Sequence, residues 1–140
     1  SPMSVLADFA EWFKARRTKV EAWYEDGVGK WAFRVDVDGQ AFVCAARKTP
    51  PKGGKTSIMK RVAGHAQTRD ALIALRLRDG IYVFDPVAVL ADGKPDDVAE
   101  DARKKRGEDW LEVPISLACT FEEWYDGAGE PARYADVGKY

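Results

Sequence analysis

Residues 40–86 read QAFVCAARK (40–48), TPPKGGKT (49–56), SIMKRVAGHAQTRD (57–70) and ALIALRLRDGIYVFDP (71–86). The first run is apolar around Phe42 and Val43 and suits a strand, and the second, with Pro50, Pro51, Gly53 and Gly54, suits a loop. In the third, Ile58, Met59, Val62, Ala63 and Ala66 recur at helical spacing as a core stripe, with Lys60, Gly64 and Gln67 on a polar one, and Ser57 is placed to cap the helix. The fourth run gives two strands, Ala71–Leu77 and Ile81–Phe84, around Arg78-Asp79-Gly80.

Outward toward the N-terminus, Val5, Leu6, Phe9, Trp12 and Phe13 predict an amphipathic helix over Ser4–Arg17, capped by Ser4, with acids early and bases late as the helix dipole favours. Thr18–Glu25 and Lys30–Val37 read as strands separated by Asp26-Gly27. Asp38-Gly39 is a two-residue hairpin signal, because both central positions of that turn need positive φ. It returns the chain into a third strand, Ala41–Lys48, pairing Val37 with Gln40 and Asp36 with Ala41. In that register Asp36 shares a face with Val43, Ala45 and Arg47, and Lys48 lies on the other face with Phe42, Cys44 and Ala46. A three-residue turn with a bulge at Gly39 would bring Asp36 and Lys48 together, at the cost of mixing apolar and polar sets.

Toward the C-terminus, Asp92–Pro95 breaks the pattern, Asp97–Arg106 suits a surface helix, Trp110–Leu117 a strand, and Thr120 caps a last helical turn, FEEWYDG. The order predicts an α+β (mixed α/β) fold: helix, three-stranded meander, helix and two strands around one mixed sheet, and not a doubly wound nucleotide fold. The length of 140 residues suits one domain, 4–127, with residues 1–3 read as an expression scar and start, and 128–140 as a mobile tail. No signal peptide or membrane-spanning run is seen, so the expected location is cytoplasmic, with no membrane partner. Cys44 and Cys119 lack paired spacing and read as buried free thiols; the lone His65 reads as a core-edge residue. Most tryptophans sit at periodic core positions, leaving Trp23 and Tyr24 as the best exposed stacking platform.

The 22 basic and 23 acidic side chains nearly cancel, but no acid lies between Asp38 and Asp70, where seven bases do. An acid-free basic span points to a polyanion, because solvated faces ordinarily mix signs. The expected interface is Arg47, Lys48, Lys52, Lys55, Lys60 and Arg61, and the expected partner is nucleic acid, with DNA favoured. A regulatory domain whose basic loop meets an acidic protein surface is the competing reading, and a homodimer is compatible with the sequence.

Element order and the central stretch resemble the PD-(D/E)XK nuclease superfamily, in particular the archaeal Holliday-junction-resolvase type, with its restriction-endonuclease-like fold. The resemblance, spanning roughly Val20–Phe84, implies catalytic Asp36, Lys48 and Gln67, with Asp36 as metal ligand for Mg²⁺ or Mn²⁺. Ala46 stands where the second metal-binding acid belongs, and alanine offers a hard cation no oxygen. The expectation is therefore a nucleic-acid-binding protein on a nuclease-like fold with a degenerate or absent metal site, or a site built from Glu21, Glu25 or Asp38. A live metal-dependent nuclease remains the further alternative. Gly54-Lys55-Thr56 ahead of a helix also suggests a phosphate-binding loop, but Thr49 replaces its first glycine and two prolines remove amides that would cradle phosphate. An anion at the N-terminus of the Ser57 helix needs no such motif.

Overall fold

The alternation of apolar residues along the second and third strands fixes the centre of the molecule. In the computed structural model, which describes residues 2–24, 32–96 and 109–134, β2 (Ala32–Val37) and β3 (Gln40–Ala46) form a hairpin. Asp38 and Gly39 sit at φ 50° and 75°, as a two-residue turn of this hand requires. Val37 opposes Gln40 and Asp36 opposes Ala41, the register that the turn predicts. On the far side of β2 lies the short edge strand β1 (Ala22–Tyr24), and β5 (Leu72–Leu77) pairs parallel to β3, with β4 (Lys55–Met59) on the connection between them. Antiparallel β6 (Gly80–Phe84) and the two-residue β9 (Cys119–Thr120) complete a mixed sheet of order β1-β2-β3-β5-β6-β9.

Because β3 and β5 are buried on both faces, each face carries its own core. Phe33, Val35, Val37, Phe42, Cys44, Ala74, Ile81 and Val83 point to one side and meet Phe9 and Phe13 of helix α1 (Pro2–Ala15). This side is aromatic: the Phe9 ring meets Phe33 edge-on at 5.5 Å, and Phe121 lies 5.1 Å from Phe13. Val43, Ala45, Ile73, Leu75 and Leu77 point to the other side. There they meet Val62, Ala63 and Ala66 of α2 (Lys60–Thr68) and Val89 of α3 (Pro86–Asp92). A second sheet, β4 (Lys55–Met59), β8 (Trp110–Pro114) and β7 (Lys94–Pro95), contributes Ile58 and Val113 to that same core. A 3-10 turn (Ile115–Leu117) links β8 to β9, and Thr120 caps the last helix, α4 (Phe121–Tyr125).

The mixed α+β architecture is the expected one, and several local assignments are corrected. The loop Thr49–Thr56 is a hairpin: Lys52 and Lys55 exchange both backbone hydrogen bonds, at 3.1 and 3.2 Å, around Gly53 and Gly54 at φ 63° and 73°. Residues 55–59 then run as a strand against β8, so Ser57 lies in β4 and does not cap a helix. Its hydroxyl donates to the Asp96 carboxylate instead. Helix α2 starts at Lys60, whose amide is taken by the Asp109 carbonyl at 2.9 Å, so Ser57 does not stand at the helix N-terminus that the phosphate-loop and anion readings require. Helix α1 begins at Pro2, which puts Ser4 inside it rather than at its cap. The third strand ends at Ala46, so Arg47 and Lys48 lie beyond it. Of the stretch 128–140, residues 128, 129 and 132 donate backbone hydrogen bonds to Glu123 and Leu117, and Pro131 is buried. Glu25, Asp26-Gly27, Lys30, Trp31 and the helix expected over Asp97–Arg106 lie outside the described residues.

Candidate nucleic-acid interface

Because β3 and β5 are parallel, their carboxyl ends emerge at the same edge of the sheet. Ala46 opposes Arg76 there, and the Arg47 amide donates to the Arg76 carbonyl at 2.9 Å. Just beyond, the Arg78 guanidinium donates to the Lys48 carbonyl at 3.2 Å. On the α2 side, Arg47 lies over the Trp110 ring at 4.6 Å, and Trp110 pairs with Met59, the residue before Lys60. Arg47, Lys48, Lys60, Arg61, Arg76 and Arg78 thus gather at one end of the molecule, and the Lys52–Lys55 hairpin extends from the same end.

Their availability differs. Lys55 Nζ lies 3.6 Å from the Glu112 carboxylate, and Arg47 is engaged with Trp110. Arg76 is held on three sides: Nε donates to Asp8 of α1 at 2.9 Å, Nη1 donates to the Leu77 carbonyl, and the guanidinium lies 4.7 Å from the Trp12 ring. Lys48, Lys52, Lys60, Arg61 and Arg78 are exposed and form no ion pair with any described carboxylate. Between the strand ends and α1 opens a pocket of about 330 Å³, its apolar lining made by Val5 and Ala46, with Leu77 bordering it at the end of β5. Asp8, Lys48, Arg76 and Arg78 line the remainder.

The catalytic set implied by the nuclease resemblance is not brought together. Asp36 opposes Ala41, five residues before Ala46, which at ~3.3 Å per residue is about 17 Å along β3. It also lies on the α2 face, while Ala46, and the pocket that Lys48 lines, lie on the α1 face. Gln67 is exposed near the C-terminal end of α2. Glu21 is bound into the β2–β3 turn, its carboxylate accepting from the Gly39 amide at 3.0 Å, and Asp38 is in that turn. Among the described residues no group of three or more His, Cys, Asp or Glu side chains is placed to hold a metal ion.

The stacking platform is half formed. Trp23 and Tyr24 are each 39% exposed, but the Trp23 ring stacks on Phe33 at 5.7 Å and Tyr24 carries the Arg34 guanidinium at 4.0 Å. Asp8, Arg76 and Arg78 do not stand out as site residues in the sequence. The signal available was Arg76-Leu77-Arg78 closing a strand whose crossover helix makes it parallel to β3, which brings the two basic strand ends together. Comparison with protein-family models, curated proteins and solved structures found no match. Among the described residues no helix is long and apolar enough to cross a membrane.

Proposed function

We propose that the chain is a nucleic-acid-binding domain on a nuclease-like fold, with DNA as the favoured ligand and its interface at the carboxyl ends of β3 and β5. The observation that carries this reading is the set of exposed cations at that end, Lys48, Lys52, Lys60, Arg61 and Arg78, unmatched by described carboxylates. Clustered uncompensated charge costs self-repulsion, which a polyanion relieves while releasing its own counterions. Apart from the inserted strand β4, the order α1, β1 to β3, α2, β5 and β6 is the order on which the nuclease resemblance rests, and it supports that part of the proposal. The separation of Asp36 from Lys48 favours binding over efficient cleavage.

The test is fluorescence anisotropy with single-stranded, duplex and branched DNA across a salt series. Binding should weaken linearly in log salt, and a Lys48, Lys52, Lys60 triple glutamine variant should lower the slope by roughly 0.9 for each duplex phosphate it no longer neutralises. Absence of affinity for all three at low salt overturns the reading and turns attention to an acidic protein partner.

A further inference from the structure

The pocket beside α1 differs in kind from the open basic hairpin. It is concave, and at about 330 Å³ it stands at the low end of the ~300–1,000 Å³ range of small-ligand sites, room for part of a nucleotide and far too little for a duplex. Its charge divides unequally. Asp8 from α1 neutralises Arg76 from β5 at 2.9 Å, and this pair, with the Trp12 ring and the Leu77 carbonyl, fixes the Arg76 guanidinium in one orientation. Lys48, after β3, and Arg78, after β5, have no carboxylate partner among the described residues and supply two unpaired positive charges to its lining. A backbone phosphodiester brings one negative charge, whereas a terminal phosphomonoester brings ~1.5–2 at neutral pH together with three strong acceptor oxygens. The diester leaves one of the two cations unmatched, and the monoester matches both.

Resting on the nucleic-acid reading above, we infer that this pocket takes the phosphomonoester of a nucleotide, so that the domain engages phosphorylated strand ends in preference to continuous backbone. Lys48 and Arg78 close on the dianion, oriented Arg76 borders it as a further donor, and Val5 and Ala46 line the apolar side available to the attached sugar. Asp8, the one carboxylate among the described lining residues, is paired with Arg76.

The experiment compares one single-stranded oligonucleotide in three forms, 5′-phosphorylated, 3′-phosphorylated and with hydroxyls at both ends, alongside thymidine 5′-monophosphate and thymidine followed by NMR chemical-shift titration. One phosphorylated form should bind about tenfold more tightly than the hydroxyl form, as one added charge-assisted hydrogen bond provides. Lys48→Gln and Arg78→Gln should each abolish that preference, whereas Lys52→Gln, on the hairpin, should weaken all three forms alike and keep it. All three residues are exposed, so the variants should melt with the wild type. Equal binding of all three forms overturns the inference and leaves the nucleic-acid reading standing. Binding of thymidine 5′-monophosphate but not thymidine, abolished by Lys48→Gln and by Arg78→Gln, with no single-stranded, duplex or branched DNA bound at low salt, overturns the nucleic-acid reading and keeps the pocket. Failure of every probe overturns the inference, and overturns the nucleic-acid reading as well where duplex and branched DNA also fail to bind at low salt.

Discussion

Thr120 and Glu123 form a reciprocal cap at the start of α4. The Thr120 hydroxyl accepts from the Glu123 amide at 3.2 Å, and the Glu123 carboxylate accepts from the Thr120 amide at 3.0 Å. Thr120→Ala should cost about 1 kcal/mol in urea unfolding, the usual value of an N-cap. The Thr120 amide first, and its hydroxyl second, hold the Glu123 carboxyl below its ordinary range. A depressed carboxyl stabilises the fold above its unfolded pKa and loses that contribution as pH falls through the folded one. The stability gap between wild type and Glu123→Gln should therefore narrow on acidification, and a gap constant from neutral to acid pH would remove the carboxylate from the account. The thiols behave oppositely. Burial pushes Cys44 well up, and burial followed by the Glu123 carboxylate pushes Cys119 up to about 11. Both should resist iodoacetamide at neutral pH in the folded protein and react once unfolded, as mass spectrometry would count.

At the scale of elements, β5 is the strand on which both cores depend, since Ala74 faces α1 while Ile73, Leu75 and Leu77 face α2 and α3. Leu75 is 1% exposed, and Leu75→Asp would bury an unpaired charge costing several kcal/mol against a total stability of ~5–15. Loss of a cooperative thermal transition is expected, and a soluble mutant that melts cooperatively would show β5 to be dispensable. How far each element was legible follows from where its partner lies. The β2–β3 register was readable because Asp38-Gly39 and a strict alternation specify it locally. Strand β4 was not, since Ile58, Met59, Val62 and Ala63 fit a helical period, and what makes 55–59 a strand is β8, more than fifty residues later. Helix α3 had a local signal that the apolar run after β6 concealed. Asp85 accepts from the Val87 amide at 2.8 Å, with Pro86 at the first helical position. Lys48 and Lys60 were legible as cations, but the pocket was not, because Asp8, Lys48 and Arg76 meet only through the parallel pairing of β5 with β3 and the packing of α1 across the sheet.

For the whole molecule, binding and cleavage make different demands. Binding a polyanion needs only cations gathered at one end, and long flexible side chains tolerate ångström errors in placement. Metal-assisted hydrolysis needs an ion held rigidly beside the attacking water, so a missing or misplaced ligand costs orders of magnitude in rate. Asp36 lies about 17 Å along β3 from Ala46 at ~3.3 Å per residue, and on the opposite face of the sheet. Moving Asp36 to the Lys48 side would require a one-residue slip of the hairpin, which would also turn Phe33, Val35 and Val37 out of the aromatic core. The energy of that core therefore opposes assembly of the implied site. Purified protein incubated with branched, duplex or single-stranded DNA and Mg²⁺ or Mn²⁺ should show no more cleavage than its Asp36→Ala and Lys48→Ala variants. Ala46→Glu offers a sharper reading, since position 46 opposes Arg76 and borders the pocket with Asp8 and Lys48. The added carboxylate should weaken DNA binding by cancelling one of the pocket's positive charges, without creating cleavage. Robust cutting by the wild type that both alanine variants lose would show that Asp36 and Lys48 act together, and Ala46→Glu should then raise the rate by supplying a second ligand.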